Sequence, residues 1–144
     1  MKQPSTQLSL ALMVVLLLAA TFLRVAAMFD APPGLRYDEM TVVVEADRIR
    51  AGDRPIYMDS SAREALYFYL VAIGEDVLGP HQFTQRWHSA AFGLIAVAAL
   101  YALGRRMFSV RVGLLAAAFS TAAFWALMYS RIGDRIGVWE KWLA

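Results

Sequence analysis

The sequence predicts an all-α polytopic membrane protein with three transmembrane helices and a structured external loop. Hydrophobic residues make up 59% of the 144, against about 45–50% in soluble domains, and the mean hydropathy is +0.47. Three apolar stretches approach the roughly 20 residues that cross about 30 Å of hydrocarbon. Basic residues bracket them.

The first stretch lies between Lys2 and Arg24, where 21 residues carry no charge, and apolar character resumes from Val25 to Phe29. The span is placed at about residues 8–29. The second, 87–104, holds only His88 as an ionisable group and ends at Arg105 and Arg106. The third, 112–130, has 19 uncharged residues between Arg111 and Arg131. A fourth run, Ala65 to Gly74, is too short to cross and reads as a helix on or dipping into the membrane.

Lys and Arg in short loops mark the cytoplasmic side. Arg105, Arg106 and Arg111 share one tight connection, and Lys2 precedes the first span, so these ends face the cytoplasm of an inner membrane. The loop 30–86 then faces outward, with ten acids against six arginines, a net charge of −4. The alternative is a cleaved signal peptide over residues 2–27, with Val25 and Ala27 before the cut; Arg24 and the two further spans speak against it.

Pro32, Pro33 and Gly34 form a rigid turn after the first span, so Asp38 and Glu39 lie near the membrane face. Met40, Val43, Ala46 and Ile49 recur at three-residue spacing, widened by Val42 and Val44, until Gly52 offers a stop. Asp38 falls at the N-cap of this helix, where free backbone N–H groups and the helix dipole keep a carboxylate ionised. Turns follow at Gly52, Asp53 and Pro55 and again at 59–62. Tyr67, Phe68 and Tyr69 then suit the headgroup level. No repeat or linker divides the chain, so residues 1–144 form one membrane unit.

Composition also excludes functions. Fourteen Lys and Arg against twelve Asp and Glu leave a net charge of +2, too balanced for a nucleic-acid surface. The absence of cysteine removes disulfides, thiolate metal sites and thiol nucleophiles. Charge is concentrated in the external loop and not inside the spans, which disfavours a transporter or channel.

The ordered series PPGLRYDEM, RIRAGDRPIYMDS, REALYFYLVA, QRWHSAAFGLIAVAALYALGRRMF and YSRIG resembles the start of a GT-C glycosyltransferase of the protein O-mannosyltransferase and lipid A aminoarabinosyltransferase type, over residues 10–133. The resemblance implies a polytopic enzyme that moves a sugar from a polyprenyl-phosphate carrier to an acceptor outside the cytoplasmic membrane. It places the family's external acidic pair on Asp38 and Glu39, its donor-phosphate arginine on Arg86, and a second acidic site on Asp134. Two departures stand out: Ala65 where many members have proline, and DRIGVWEKWLA where a long aliphatic span is expected. Whole members are several-fold longer, so the chain is expected to be an amino-terminal fragment, inactive by itself.

The residue types suit the chemistry. A sugar phosphate needs no strong general acid on its leaving group, but it needs positive charge there, which an arginine supplies bidentately. A carboxylate takes the acceptor's proton, worth roughly 10² to 10⁴-fold, and single displacement gives inversion. Each residue also has a plain structural reading. Asp38 is a helix cap, Glu39 occupies the first turn or binds a divalent cation, and Arg86 snorkels to the headgroups, as Arg24, Arg131 and Arg135 would. His81 and His88 lack partners at ligand spacing. The competing class is a small non-catalytic membrane interaction protein or a decayed gene product. Neither sugar nor acceptor is legible.

Overall fold

The computed structural model describes residues 5–28, 37–58, 63–79 and 84–132, with Asp38 in its main chain only. The turn expected at Pro32, Pro33 and Gly34, that at 59–62, and His81, Asp134 and Arg135 lie outside the described residues. The described chain is mostly helical and divides into two compact units, one within residues 1–26 and 90–130, the other within 27–89 and 131–144.

The first unit is built from α1 (Thr6–Val25), most of α4 (Thr84–Met107), α5 (Val110–Ala122) and α6 (Phe124–Arg131). Ser5 caps α1 by accepting from the Leu8 N–H at 3.3 Å, and Ser109 caps α5 by accepting from that of Val112 at 3.3 Å. The helix α1 packs along α5. Met13, Ala20, Val97, Tyr101 and Ala117 form the core, while Val15, Leu18 and Phe22 stay exposed on the outer face. That inversion of the soluble pattern is what a lipid solvent permits.

Helices α4 and α5 approach backbone to backbone at Gly104 and Gly113. A Cβ on Gly113 would stand 2.7 Å from the Tyr101 carbonyl oxygen. Among the described residues two helices, α1 and α4, are long and apolar enough to cross a membrane, and the bent pair α5 and α6 makes a third if it is one span. The expected third span is thus two helices, bent by 57°. The break falls at Ala123, whose backbone is extended. Thr121 bonds back to the Ala117 carbonyl at 2.8 Å, a habit of Ser and Thr that bends helices.

An unbroken helix would have the Ser120 carbonyl accept from the N–H of Phe124. It accepts from the guanidinium of Arg24 instead, at 3.5 Å, while a second guanidinium nitrogen donates to the Ala20 carbonyl at 3.2 Å. Arg24 is therefore buried within the helices and does not snorkel.

The second unit contains α2 (Tyr37–Arg50), a two-stranded antiparallel ladder of β1 (Tyr57–Met58) and β2 (Arg63–Glu64), α3 (Leu66–Leu78) and the first turns of α4. The short ladder is an addition to the all-α expectation. Helix α2 begins at Tyr37, which puts Asp38 inside the first turn and not at the cap. It ends in a Schellman turn: Gly52, at φ 116°, donates to the Ile49 carbonyl and Asp53 to that of Arg48.

The buried face of α2 is Glu39, Val42, Ala46 and Ile49, whereas Met40 and Val44 are exposed. Of the expected stripe, Val42, Ala46 and Ile49 are buried and Met40 and Val44 are not, and the buried side of the helix also holds two acids, Glu39 and Glu45. Helix α3 runs past the expected end at Gly74, and its Tyr67 and Phe68 are buried against Val42, Ala46 and Val71 instead of facing headgroups. The outward face of α3 carries Leu66, Ile73 and Val77.

Candidate active site

Two charged side chains meet in the interior of the second unit. Arg86 donates from Nε to Glu39 Oε1 at 2.8 Å and from NH2 to Oε2 at 3.1 Å, and its NH1 donates to the Met28 carbonyl at 2.9 Å. Both side chains are fully buried. The parallel two-bond geometry between guanidinium and carboxylate is the strongest form of such a pair and fixes both planes.

Local sequence explains the convergence. The 3.6-residue periodicity of α2 sends Glu39 inward along with Val42 and Ala46, and Arg86 projects from the first turn of α4. Tyr67 of α3 ties the same turns of α4 by hydrogen bonds to the Gln85 carbonyl at 3.4 Å and the Ser89 hydroxyl at 3.3 Å. Gly74 lets α3 approach His88 so closely that a Cβ there would overlap the imidazole. His88 Nδ1 lies 2.8 Å from the Thr84 carbonyl oxygen, so this nitrogen carries the proton and donates.

Of the residues expected at the site, Glu39 and Arg86 are brought together. Asp38 stands beside Glu39 in the chain, and Asp134 lies outside the described residues. Both Glu39 oxygens are engaged by Arg86, an arrangement that suits charge pairing and not cation ligation. Among the described residues no three acidic, His or Cys side chains converge on a point where a metal would sit.

A second charged cluster went unforeseen. Arg50 on α2 bonds Asp76 through Nε at 2.9 Å and Asp47 through NH1 at 3.1 Å, and its NH1 lies 3.6 Å from Glu75 Oε2. Burial, aided by the charges of Asp47 and Asp76, pushes the Glu75 carboxyl up from its ordinary value despite the opposing pull of Arg50. The hydrogen bond to Asp76 in turn raises the Arg50 pKa. The cluster clamps the carboxyl ends of α2 and α3 together.

Residues 63–136 match the model of the dolichyl-phosphate-mannose-protein mannosyltransferase family, just over half of the chain. The chain belongs to that family. The mannosyltransferase match takes in β2, α3, α4, α5 and α6, and with them Arg86, whereas Asp38 and Glu39 precede it. No curated protein and no solved structure matches the chain. Membership agrees with the apolar helices and makes this a chain of a membrane glycosyltransferase family.

Proposed function

We propose that this chain carries the base and donor-phosphate residues of a membrane glycosyltransferase that moves a sugar from a polyprenyl-phosphate carrier to an acceptor on the extracytoplasmic side. The observation that carries the reading is the buried Arg86 and Glu39 pair, with Asp38 as the next residue in the same helical turn. Held in one plane by Glu39, the guanidinium turns its bidentate edge to phosphate oxygens only when the donor displaces that carboxylate. Asp38, the neighbour of Glu39 in the chain, is the candidate base for the acceptor.

In this mechanism an acceptor hydroxyl attacks the anomeric carbon while the bond from that carbon to the phosphate oxygen breaks. Asp38 takes the hydroxyl proton as the new glycosidic bond forms, a contribution of roughly 10² to 10⁴-fold. The phosphate leaves with the electron pair, and Arg86 balances its growing charge. One displacement inverts the anomeric configuration. Glu39 holds the guanidinium, and Asp134 is a second candidate acid. The exposed Arg105 and Arg106 at the end of α4 support a cytoplasmic α4 to α5 connection and an outward second unit.

The test is photolabelling of the chain in bilayer nanodiscs with a photoreactive polyprenyl-phosphate mannose. The label is expected on the peptide bearing Arg86, to fall in Arg86→Gln and in the neutral pair Glu39→Gln with Arg86→Gln, and to persist in Asp38→Asn. Labelling that both Arg86 variants leave unchanged removes the phosphate assignment. Sugar transfer that survives Asp38→Asn in a corresponding longer protein removes the base.

A further inference from the structure

Two clefts adjoin at the carboxyl end of α2. The first, about 270 Å³, is lined by Glu45, Arg48, Asp53, Arg54 and Tyr57 among others. The second, about 320 Å³, is lined by Arg50, Arg54, Tyr69, Ile73 and Asp76 among others. Arg54 lines both clefts, and each has a tyrosine. Arg54 is anchored by NH1, which donates to the Ile49 carbonyl at 3.1 Å and the Asp53 carbonyl at 2.9 Å. The Tyr57 ring is half exposed on β1.

The lining decides the ligand class. A phosphate or other anion entering the first cleft meets the carboxylates of Glu45 and Asp53, and a cation meets Arg48 and Arg54. An apolar ligand would strip water from four charges with nothing in return. A neutral polyhydroxylated ligand satisfies both signs at once, because each hydroxyl donates to a carboxylate and accepts from a guanidinium. The C–H face of a pyranose ring also covers a tyrosine ring. Each cleft has room for a single pyranose.

The position within α2 gives the clefts their role. Glu45 is seven residues after Asp38 in one helix, two turns or about 10 Å at 1.5 Å per residue. A glycan seated in the first cleft would therefore reach Asp38 with a sugar hydroxyl after a short further extension. We propose that these clefts bind a neutral oligosaccharide and that the acceptor of the transfer is a glycan. The acceptor assignment rests on the function proposed above, whereas the binding itself does not.

The experiment is saturation-transfer NMR on the full chain in nanodiscs with mannobiose, cellobiose and chitobiose, and with a neutral Ser/Thr hexapeptide and inorganic phosphate as competing probes. At least one disaccharide is expected to receive saturation on its ring protons. Its affinity is expected to fall about tenfold in Tyr57→Ala, with loss of the stacking platform, and to recover in Tyr57→Phe. Because Glu45 is buried and its loss could disturb the fold, the exposed Asp53→Asn serves as the second variant and is expected to weaken the same disaccharide. Absence of disaccharide binding, binding indifferent to Tyr57 and Asp53, or a preference for the peptide or phosphate overturns the proposal. Donor labelling at Arg86 without disaccharide binding sinks the glycan site alone, whereas disaccharide binding without donor labelling leaves the clefts as a glycan site and removes the transferase reading.

Discussion

Both carboxylate oxygens of Glu39 accept from the one guanidinium of Arg86, and neither side chain touches solvent. Taking two charges out of water is costly, and the pairing offsets that cost only while both partners are present. Glu39→Ala or Arg86→Ala alone is expected to destabilise the second unit by about 3–5 kcal/mol, because each leaves an unpaired buried charge. The apolar pair Glu39→Leu with Arg86→Met is expected to recover most of that loss while donor labelling stays absent. Thermal midpoints in detergent, read beside labelling, check both statements. A double variant as unstable as the sum of the singles would contradict the coupling.

The two long helices were legible because an apolar run of span length between basic residues has few other solutions in a chain this hydrophobic. Helix α2 was legible in kind and in part of its facing. The stripe included Val42, Ala46 and Ile49, which are buried, but also Met40 and Val44, which are exposed, and it left out the buried Glu39 and Glu45. An apolarity pattern cannot anticipate a buried acid whose partner is supplied by a distant helix. Arg86 is 47 residues away, so each residue was read with its own role and the pair was missed. The end of α3 was misplaced for a related reason. Glu75 and Asp76 look like a boundary in the sequence, but the Arg50 of α2 balances them and the helix continues to Leu78.

The bend at Ala123 left almost no trace in the sequence, having neither proline nor glycine; the Ser120 and Thr121 pair in an aliphatic run was its one signal. Arg24 is the other half of that arrangement. A Cβ on Gly93 would stand 2.8 Å from Arg24 Nε and 2.8 Å from Ser130 Cβ. Gly93→Ala is therefore expected to cost about 1–3 kcal/mol. Combining it with Arg24→Ala removes one of the two clashes, so the double variant should be less unstable than the sum of the single changes by at least about 0.5 kcal/mol. Unfolding midpoints of the four proteins in the cycle give the coupling directly, and strict additivity would show that Arg24 does not occupy the space Gly93 leaves.

The close approach of α4 and α5 gives a sharper case. At Gly113 the obstacles to a Cβ are backbone atoms, the Tyr101 carbonyl oxygen at 2.7 Å and the Arg105 nitrogen at 2.8 Å, which cannot rotate away as a side chain can. Gly113→Ala is expected to force the helices apart and to cost about 3 kcal/mol, the upper part of the range for overpacking. Gly52→Ala meets no atom but holds a positive φ, so its smaller loss should come from backbone strain alone. A Gly113→Ala protein as stable as the parent would mean that the two helices are not in backbone contact.

The Glu75 carboxyl gives the second unit a pH dependence whose sign follows from its environment. Burial raises its pKa above the ordinary value of 4.5, with Asp47 and Asp76 adding to the shift and Arg50 opposing it. Between the ordinary and the raised value the folded chain holds a proton that the unfolded chain has lost, so stability falls as pH rises through the raised pKa. Below the ordinary value both states are protonated and this contribution levels off. The thermal midpoint of the protein in detergent is therefore expected to include a component that declines as pH rises above the ordinary value of 4.5 toward the raised pKa. Glu75→Gln keeps the shape of the side chain and removes its titration, so the decline should flatten in that variant while Asp76→Asn, at an exposed carboxylate, leaves most of it in place. An unchanged slope in Glu75→Gln would assign the pH dependence to another group.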